Sequence, residues 1–259
     1  MPVPTISEMF GLSGRRTVVT GAGRGIGRAI AEALAGAGAE VLVHYNTSEA
    51  AAGEVVAGIQ AAGGKAWAAQ ADVPDPAQVN ALFEQVARRW GALDILVNNS
   101  GGLIRRTKTE EMSDEELDQT LRLNINGTIC PIRAAIPLLR KGASPCIVNV
   151  SSVAAHNGGG NGAVIYASAK GAILTFTRGL AKELAPEIRV NGLAPGVIYT
   201  DFHRVHTPED ALKAMAASTP LRRLGTAEDN AAAVVFLCSP GASFVTGETI
   251  EVNGGLWVA

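Results

Sequence analysis

Short runs of apolar residues alternate along this chain with longer segments in which apolar positions recur every third or fourth residue. The short runs predict seven buried strands, at 16–20, 40–45, 65–70, 93–97, 146–150, 188–193 and 248–252. The longer segments predict helices at 26–37, 48–62, 76–90, 113–139, 166–184 and 227–237. This alternation is typical of an α/β fold, in which right-handed crossovers place helices on both faces of a parallel sheet.

Cap and turn residues set the boundaries of these elements. Ser48 is placed to cap the second helix, and Ser113 with Glu116 forms the capping box of a long helix that continues to 139. Pro131 and Pro137 fall inside that helix and are expected at a kink or on its solvent side. Residues 1–14 form a polar lead, and about 195–220 form a loop and helix that would cover a substrate. Because no linker divides the chain, a single domain over 1–259 is expected.

Composition and charge exclude several kinds of partner. The net charge of −2 offers no basic surface to nucleic acid or to an anionic membrane. Cys130, Cys146 and Cys238 lie far apart, without metal or disulfide spacing, as expected for buried thiols in a reducing compartment. The first ten residues lack the pattern of a signal peptide, and no apolar run reaches the roughly 18 residues of a membrane span. A cytoplasmic protein is therefore expected.

The first candidate site is the glycine-rich turn after the first strand. Gly21, Gly25 and Gly27 follow Thr20 and open the first long helix. Glycine lets the backbone approach a pyrophosphate, which the unpaired N–H groups of a helix N-terminus then stabilise. The order of strand, turn and helix favours dinucleotide binding, and a tight turn without a ligand is the alternative.

The second candidate site is the pair Tyr166 and Lys170, which stand one helical turn apart on one face. An ammonium beside a phenol stabilises the phenolate, so the pKa of Tyr166 is expected below its ordinary value of about 10. Such a shift would suit proton exchange near neutral pH. For these two residues alone, an exposed helix face is the alternative.

In their order along the chain, Thr20-Gly-x-x-x-Gly-x-Gly27, Asn98-Asn-Ser-Gly101 and Tyr166-x-x-x-Lys170 resemble the motifs of the short-chain dehydrogenase/reductase family. The resemblance covers essentially the whole chain. It implies a single Rossmann-type domain with a doubly wound parallel sheet of seven strands, in the order 3-2-1-4-5-6-7. It also implies an NAD- or NADP-dependent oxidoreductase similar to 3-oxoacyl-carrier-protein reductases and carbonyl reductases, acting on a small ketone and its secondary alcohol.

The same resemblance implies a catalytic tetrad of Asn124, Ser152, Tyr166 and Lys170. Asn124 would hold a water that relays protons to Lys170. Ser152 would hydrogen-bond the substrate oxygen, while its neighbour Ser151 would serve the structure. Tyr166 would act as general acid in reduction and as base in oxidation, and Lys170 would hold the nicotinamide ribose. The glycine-rich loop between Ser152 and Tyr166 is about one residue longer than in many members.

The cofactor contacts that the resemblance implies lie at the ends of five strands. They are Gly21, Arg24, Gly25, Ile26 and Gly27; Tyr45, Asn46, Thr47 and Ser48; Asp72 and Val73; Asn99, Ser100 and Gly101; and Pro195, Gly196, Ile198 and Thr200, together with Tyr166 and Lys170. Asn98 is expected to tie adjacent strands together. Without the family, Asp72 would be a polar residue before a helix, and Asn98 with Asn99 a turn.

The choice between the two dinucleotides depends on the end of the second strand. Enzymes of this fold that use NAD usually place an acidic residue there, against the ribose 2′-hydroxyl. Tyr45 holds that place, and no carboxylate stands there to repel a phosphate. Arg24 supplies a cation in the glycine turn, and Thr47 and Ser48 lie at a helix start that suits an anion. NADP(H) is therefore favoured, with NAD(H) as the alternative.

The substrate side carries weaker signals. Phe202, Met215 and Leu221 are expected as apolar lid contacts, whereas His203 and His206 are more typical of an exposed lid than of a metal site. His156 is expected either to face the substrate or to be exposed. Arg105 and Arg106 are expected either near the pocket mouth or solvated. No metal is expected. Residues 142–145 and 185–187 are neutral or acidic, which argues against docking of a carrier protein and favours a free carbonyl substrate.

Two other functions stay open. One is an NAD-dependent alcohol or sugar dehydrogenase on the same scaffold. The other is a catalytically inactive relative that senses dinucleotide or serves as an interaction protein, against which the complete tetrad argues. Family resemblance further implies a homotetramer built from 113–139, 164–184 and 248–259, whose apolar end suits burial against another subunit.

Overall fold

The computed structural model describes residues 4–200 and 208–258. Its centre is a sheet of seven parallel strands in the order β3-β2-β1-β4-β5-β6-β7, as the resemblance implied. The strands are β1 Arg16–Val19, β2 Glu40–Tyr45, β3 Lys65–Gln70, β4 Ile95–Asn98, β5 Cys146–Val150, β6 Arg189–Pro195 and β7 Thr249–Val252. The order reverses between β1 and β4, where a doubly wound sheet opens a crevice at the carboxyl ends of its strands.

Helices connect the strands and cover both faces. They are α1 Ile6–Phe10, α2 Gly25–Gly36, α3 Glu49–Ala61, α4 Pro76–Trp90, α5 Asp114–Leu121, α6 Gly127–Leu139, α7 Ala154–Asn157, α8 Val164–Leu184, α9 Glu209–Ser218 and α10 Ala227–Cys238. Short 3-10 turns lie at Thr109–Glu111 and Pro240–Ala242. Within the described residues, no helix is both long and apolar enough to cross a membrane.

The core is divided in two by the sheet. Val19 and Val41 point to the face covered by α2, α3 and α10, and their neighbours Val18 and Leu42 point to the face covered by α4, α6 and α8. All four side chains are fully buried. Successive residues of a strand face opposite ways, so a strand covered on both sides is apolar at most of its positions. This is why the strands could be recognised as continuous apolar runs.

Three predicted boundaries were wrong. Residues 6–10 form a helix rather than a polar lead, because Thr5 and Glu8 make a capping box in which Glu8 N donates to Thr5 Oγ1 at 3.2 Å. The fourth strand begins at Ile95 rather than at 93. The carboxylate of Asp94 instead accepts hydrogen bonds from Arg16 N at 2.8 Å and Ala143 N at 2.7 Å. The sixth strand runs on to Pro195 because it pairs with β7 as far as Val252.

The predicted helix over 113–139 is interrupted. Its capping box is confirmed, but a π-helical turn, Arg122–Asn126, separates α5 from α6. Such a wide turn is common at functional sites because it re-aims one side chain. Pro131 is buried inside α6, whereas Pro137 lies on its solvent side as one of the two predicted alternatives. The interruption places Asn124 where its side chain can reach the end of β4.

Candidate active site

The predicted functional residues gather at the carboxyl ends of the central strands. The glycine turn follows β1, Asn99 to Gly101 follow β4, Ser151 and Ser152 follow β5, and Pro195 ends β6. These strands are neighbours in the sheet, so their ends form one continuous rim. The chain therefore brings the candidate cofactor and catalytic segments to one crevice.

The glycine turn needs its glycines, because their positions leave no room for a side chain or require left-handed backbone. Gly21 and Gly25 have left-handed backbone, with φ of 63° and 55°. A Cβ atom at Gly27 would collide with Gly21 O and with Asn99 Nδ2. Within the described chain, the cap residue Arg24 makes no side-chain hydrogen bond to the first turn of α2, which leaves that turn's N–H groups for a ligand. The geometry fits the pyrophosphate of a dinucleotide.

A polar clamp joins this turn to the end of β4. Asn99 Nδ2 donates to Thr20 O and to Gly21 O, both at 3.0 Å. The backbone N–H groups of Asn99 and Ser100 both donate to Thr20 Oγ1 at 3.0 Å. One residue earlier, Asn98 Nδ2 donates to Asn149 Oδ1 at 2.9 Å, which confirms that Asn98 ties β4 to β5. Side chains of the Asn-Asn dipeptide thus fix the shape of the crevice rather than form a loose turn.

Sequence reasoning missed His44, which supports the glycine turn from below. This fully buried imidazole accepts a hydrogen bond from Gly21 N at Nδ1, 3.1 Å away, and its Nε2 lies 3.0 Å from Ala71 O. These partners require a neutral ring with its proton on Nε2. Burial lowers the pKa of His44 to about 4, although the Ala71 carbonyl opposes the shift. One polar residue inside an apolar strand was the signal that could have revealed it.

The segment after β2 lies beside the glycine turn, as the resemblance implied. A Cβ atom at Gly23 would stand 3.4 Å from Ala52 N, so the first turn of α3 packs against the turn. Asn46 Nδ2 donates to Asp72 Oδ1 at 2.9 Å, which brings these two expected adenosine contacts together. The prediction that Ser48 caps α3 was wrong. Its ψ of 66° is not that of a capping residue, and within the described chain its side chain makes no cap hydrogen bond.

The end of β2 is less free of negative charge than the sequence suggested. Tyr45 does hold the position, but the carboxylate of Glu49, in the first turn of α3, lies close enough to the Tyr45 hydroxyl to shift its pKa. Burial and this carboxylate together raise the pKa of Tyr45. A carboxylate therefore stands one helical turn beyond the strand end, where Arg24 was expected to meet a phosphate unopposed.

Lys170 is enclosed at the bottom of the crevice. Only 3% of its surface is exposed, and its Nζ donates to Val150 O, at the end of β5, at 2.9 Å. Burial lowers the pKa of Lys170 to about 8. Its neighbour across the strand end, Ser151, is also buried and donates from Oγ to Lys170 O at 2.8 Å, the structural role expected of it.

The pKa of Tyr166 moves opposite to the prediction. Burial raises it, and the hydrogen bond with the Ser152 side chain only partly opposes that shift. Lys170 does stand over the same face, but its Nζ lies 6.0 Å from the centre of the Tyr166 ring and is turned towards Val150 O. Helical spacing placed the two residues correctly and left the direction of the ammonium undetermined. In this structure Tyr166 is a protonated phenol at neutral pH.

Asn124 and Lys170 meet under the end of β4. Asn124 Oδ1 accepts from Gly102 N at 2.9 Å, and its Nδ2 donates to Gly102 O at 3.0 Å and to Thr120 O at 2.9 Å. A Cβ atom at Gly101 would lie 2.8 Å from Asn124 Oδ1 and 3.1 Å from Lys170 Nζ. Both side chains therefore converge on Gly101. Ser152 stands close enough to Tyr166 to lower its pKa, so the four tetrad residues lie together at this end of the crevice.

The segment after β6 closes the crevice on its far side. Val153 N donates to Pro195 O at 2.8 Å and Gly196 N to Val252 O at 2.9 Å. Ile198 then bridges to Gly225 in a short parallel pairing. Thr200 reaches the glycine turn, since its Cγ2 would lie 3.6 Å from a Cβ at Gly25. The chain thus makes a continuous wall from Ser152 to the start of α2.

Comparison with known proteins agrees with this architecture. Residues 21–257 match the family described as enoyl-(acyl carrier protein) reductase. An uncharacterized oxidoreductase of Methylorubrum extorquens is 43% identical over 251 residues, which are 96% of this chain and 100% of that protein. The chain belongs to the short-chain dehydrogenase/reductase family.

Two further members of the short-chain dehydrogenase/reductase family are similar to this chain, one in sequence and one in sequence and structure. The 3-oxoacyl-[acyl-carrier-protein] reductase FabG of Staphylococcus aureus is 39% identical over 94% of this chain and 98% of its own. A short-chain dehydrogenase from Burkholderia cenocepacia, solved in complex with NADP, has a TM-score of 0.87 at 37% identity and covers 95% of this chain and 98% of its own. As a member, the protein is an oxidoreductase of the CH–OH/C=O class.

The substrate-side residues of this dehydrogenase/reductase agree with expectation in part. His156 is not an exposed loop residue: it is half-buried, and its Nε2 lies 2.8 Å from Glu251 Oε1. Arg105 is exposed and pairs with Glu116 at 3.2 Å, so it is solvated rather than aimed at the pocket. Leu221 is 65% exposed and is not an apolar lid contact in this structure, whereas Met215 is half-buried.

Some expected residues cannot be placed. Phe202, His203 and His206 lie outside the described residues. Among residues 4–200 and 208–258, no group of three His, Cys, Asp or Glu side chains is arranged to hold a metal ion. Arg106 is exposed and contacts the loop after α7, with Nη1 donating to Asn161 O at 3.3 Å.

Proposed function

We propose that this protein is an NADP(H)-dependent oxidoreductase that transfers a hydride between nicotinamide and a small ketone or secondary alcohol. The observation that carries the proposal is the cluster of Tyr166, Ser152, Lys170 and Asn124 in a crevice that begins at the glycine turn. A phenol, a hydroxyl and a buried ammonium at one rim are the groups that carbonyl reduction needs.

The cofactor would extend along the rim from one end to the other. The first turn of α2 and Arg24 would take its phosphates, Asp72 with Asn46 its adenosine, and Ile198 with Thr200 its nicotinamide amide. The backbone of Asn99, Ser100 and Gly101 would line the ribose between them. When bound, the nicotinamide supplies or accepts the hydride.

Tyr166 would supply the proton. Because burial keeps its phenol protonated at neutral pH, it is in the form that donates to an oxygen gaining negative charge. Ser152 would donate a second hydrogen bond to the same oxygen. Lys170 would hold the ribose hydroxyls and refill the proton on Tyr166, through a water near Asn124 and Gly101. In the oxidation direction the same groups would work in reverse, which requires the Tyr166 pKa to fall when the cofactor binds.

The preference for NADP(H) rests on Arg24, Thr47 and Ser48. Arg24 is exposed at the N-terminus of α2, and the hydroxyls of Thr47 and Ser48 stand at the start of α3. The similar Burkholderia cenocepacia protein was solved with NADP. Glu49 is the observation that favours the second candidate, an NAD-dependent alcohol or sugar dehydrogenase, since its carboxylate would repel a 2′-phosphate.

The substrate would be a free small molecule, including an acyl thioester, rather than a carrier-bound chain. A docking carrier protein is acidic and would need exposed cations near the crevice. Arg140 is held by Glu187 at 2.8 Å, and Arg105 by Glu116 at 3.2 Å. These pairs neutralise two of the cations near the crevice, and residues 142–145 and 185–187 are themselves neutral or acidic, whereas Lys141 and Arg106 are exposed.

The proposal also covers the organisation of the protein. We place all of residues 1–259 in one domain, with a substrate lid at about 195–220, in a cytoplasmic homotetramer. Its three cysteines are buried free thiols, which suits a reducing compartment. Trp257 and Val258 are 36% and 81% exposed in the single chain, so a subunit contact at 248–259 would cover them. Sedimentation of a monomer at micromolar concentration would contradict the assembly.

Steady-state kinetics with NADPH and NADH, each against a panel of ketones, secondary alcohols and 3-oxoacyl thioesters, tests the proposal. Turnover of a ketone or thioester with NADPH at a kcat/KM at least about tenfold above that with NADH would support it. Equal or better turnover with NADH would establish the second candidate. Tight NADPH binding without turnover of any substrate, measured by nicotinamide fluorescence, would indicate the inactive dinucleotide sensor.

A further inference from the structure

The chain after β7 folds into a hydrogen-bonded turn, residues 253–257, which we call the C-terminal turn. Asn253 holds it together: its Nδ2 donates to Glu251 Oε2 and to Trp257 O, both at 3.1 Å, and its Oδ1 accepts from Gly255 N at 2.9 Å. Asn253 is buried, so these bonds are shielded from water. The turn is therefore a defined structure and not a loose end.

His156 attaches the loop after Ser152 to this turn. Its Nε2 lies 2.8 Å from Glu251 Oε1, and its ring stacks on Trp257 with centroids 5.1 Å apart and an interplanar angle of 9°. The two ion-pair side chains are only 18% and 21% exposed, so the contact is stronger than a surface pair. A hydrogen bond and a ring stack on one imidazole fix both its position and its orientation.

The same turn contacts the end of the proposed lid. Leu221 N donates to Gly254 O at 3.1 Å, and a Cβ at Gly255 would lie 3.0 Å from Pro220. A cavity of about 270 Å³ lies beside this contact; Val197, Ile198 and Glu251 are among its lining residues. The C-terminal turn thus touches both walls that would face a substrate, the loop after Ser152 and the segment after α9.

We propose that the C-terminal turn positions the substrate side of the crevice, and that His156 and Glu251 are the positioning residues that hold the loop after Ser152. The proposal rests on the proposed function, because it concerns where the substrate oxygen meets Ser152. It assigns no contact between these two residues and the reacting atoms.

The loop packs against α8, and His156 is the side chain that ties it to β7. α7 has four residues, too few to be stable without tertiary contacts, and glycines follow it. Within the described chain, Thr107 N donating to Gly162 O at 3.0 Å fixes the far end. At the near end, Ala154 N donates to Ser152 Oγ at 3.1 Å. A shift of α7 would therefore move the Ser152 hydroxyl, and His156 on α7 is the side chain tied to β7.

Two variants separate the interactions. Glu251→Gln keeps the size of the side chain and removes its negative charge, whereas His156→Phe keeps the stack on Trp257 and removes the hydrogen bond to Glu251. Glu54→Gln and Glu228→Gln are the controls, since both carboxylates are exposed and lie outside the proposed subunit contact at 248–259. Sedimentation and thermal unfolding establish that every variant keeps the assembly and fold of the unmodified protein.

Hydrogen exchange and kinetics are then measured on the whole protein. Glu251→Gln and His156→Phe should speed amide exchange in 153–163 by about tenfold and leave 20–30 unchanged. KM for the best carbonyl substrate should rise on the order of tenfold, while the NADPH dissociation constant stays within about twofold. The double variant should add little to either single one. The controls should match the unmodified protein in all three measurements.

The outcomes are distinct. Unchanged exchange in 153–163 would overturn the proposal, as would faster exchange without a change in KM. A loss of NADPH affinity equal to the rise in KM would show a general effect on the fold and would also overturn it. If the unmodified protein turns over no carbonyl substrate, the proposed function fails, and the exchange measurement still decides whether His156 and Glu251 hold the loop.

Discussion

Two glycine-rich segments border the crevice, the turn at 21–27 and the loop at 157–162, and one glycine of each, Gly27 and Gly160, is packed in the opposite way to the other. A Cβ atom at Gly27 would collide with Gly21 O and Asn99 Nδ2, whereas a Cβ at Gly160 would meet no atom within 4 Å. Gly27 is needed because any side chain there would meet other atoms of the crevice. Gly160 is needed only because its φ of 52° is left-handed. The end of the loop is close-packed as well, since a Cβ at Gly162 would lie 2.7 Å from Thr107 N, so the contrast with the turn concerns the middle of the loop at Gly160.

The catalytic cluster lies between these segments, and its loss should have the largest effect. Tyr166→Phe removes the phenolic proton and keeps the ring, so kcat should fall on the order of a thousandfold. The NADPH dissociation constant should stay within about twofold, because the rigid cofactor end is untouched. Stopped-flow absorbance and fluorescence titration measure the two values. Substantial residual turnover in this variant would refute the assigned role of Tyr166.

The comparison itself is tested by placing the same methyl group in each segment. Gly27→Ala should weaken NADPH binding by about a hundredfold, since overpacking costs about 1–3 kcal/mol and the backbone must shift at the phosphate site. Gly160→Ala should cost about 1–2 kcal/mol of folding stability for its left-handed backbone and leave NADPH binding unchanged.

Fluorescence titration and thermal unfolding of both variants check this contrast. If Gly160→Ala weakened NADPH binding as much as Gly27→Ala, the two segments would not differ in the way their packing indicates. Equal NADPH affinity of Gly27→Ala and the unmodified protein would show that the turn can relax around a methyl group.

The contrast also explains how far the sequence could be read. The strand runs, the glycine turn and the tie made by Asn98 were predicted because each depends on local pattern or on contacts between strand ends. The interruption of the 113–139 helix was not, since it depends on Asn124 reaching Gly102 across the crevice. His44 was missed because its partners, Gly21 N and Ala71 O, lie on two other strand ends.

The pKa of Tyr166 shows the same limit more sharply. Helical spacing correctly put Lys170 on its face but could not say that Val150 O takes the ammonium at 2.9 Å. Nor could it give the extent of burial, which here decides the sign of the shift. Similarly, Glu49 lies too far along the sequence from the strand end to be counted there, yet it reaches Tyr45 in space. The sign of a pKa shift and the partner of a charged group are set by tertiary packing, which composition and periodicity do not encode.

Burial of Lys170 predicts a dependence of stability on pH. Its pKa falls from its ordinary 10.5 to about 8 on folding, so below pH 8 the folded protein bears the full cost of a buried charge. As pH rises from 8 to 10.5, the unfolded chain keeps a proton that the folded protein has released, and the free energy of unfolding gains up to about 3 kcal/mol.

Lys170→Met should therefore be more stable than the unmodified protein at pH 7, by an amount that shrinks towards pH 10, although the variant should be inactive. Denaturant unfolding at several pH values measures the difference. Lys182→Met, at the exposed end of the same helix, is the control and should show no such trend. A difference in stability that stays constant with pH would mean that the cost of burial is met by the hydrogen bond to Val150 O.

The smallest expected effect concerns the choice of dinucleotide at the rigid end. Arg24→Ala should weaken NADPH binding by about tenfold and NADH binding by less than about twofold, because only a 2′-phosphate needs the guanidinium. Arg28→Ala is the matched control: it lies one turn further along α2 and pairs with Glu32 at 2.8 Å. Equal losses for both cofactors would place Arg24 at the pyrophosphate instead. If NADPH binding did not change, the carboxylate of Glu49 would be the group that governs this end of the crevice, and the preference would turn towards NAD(H).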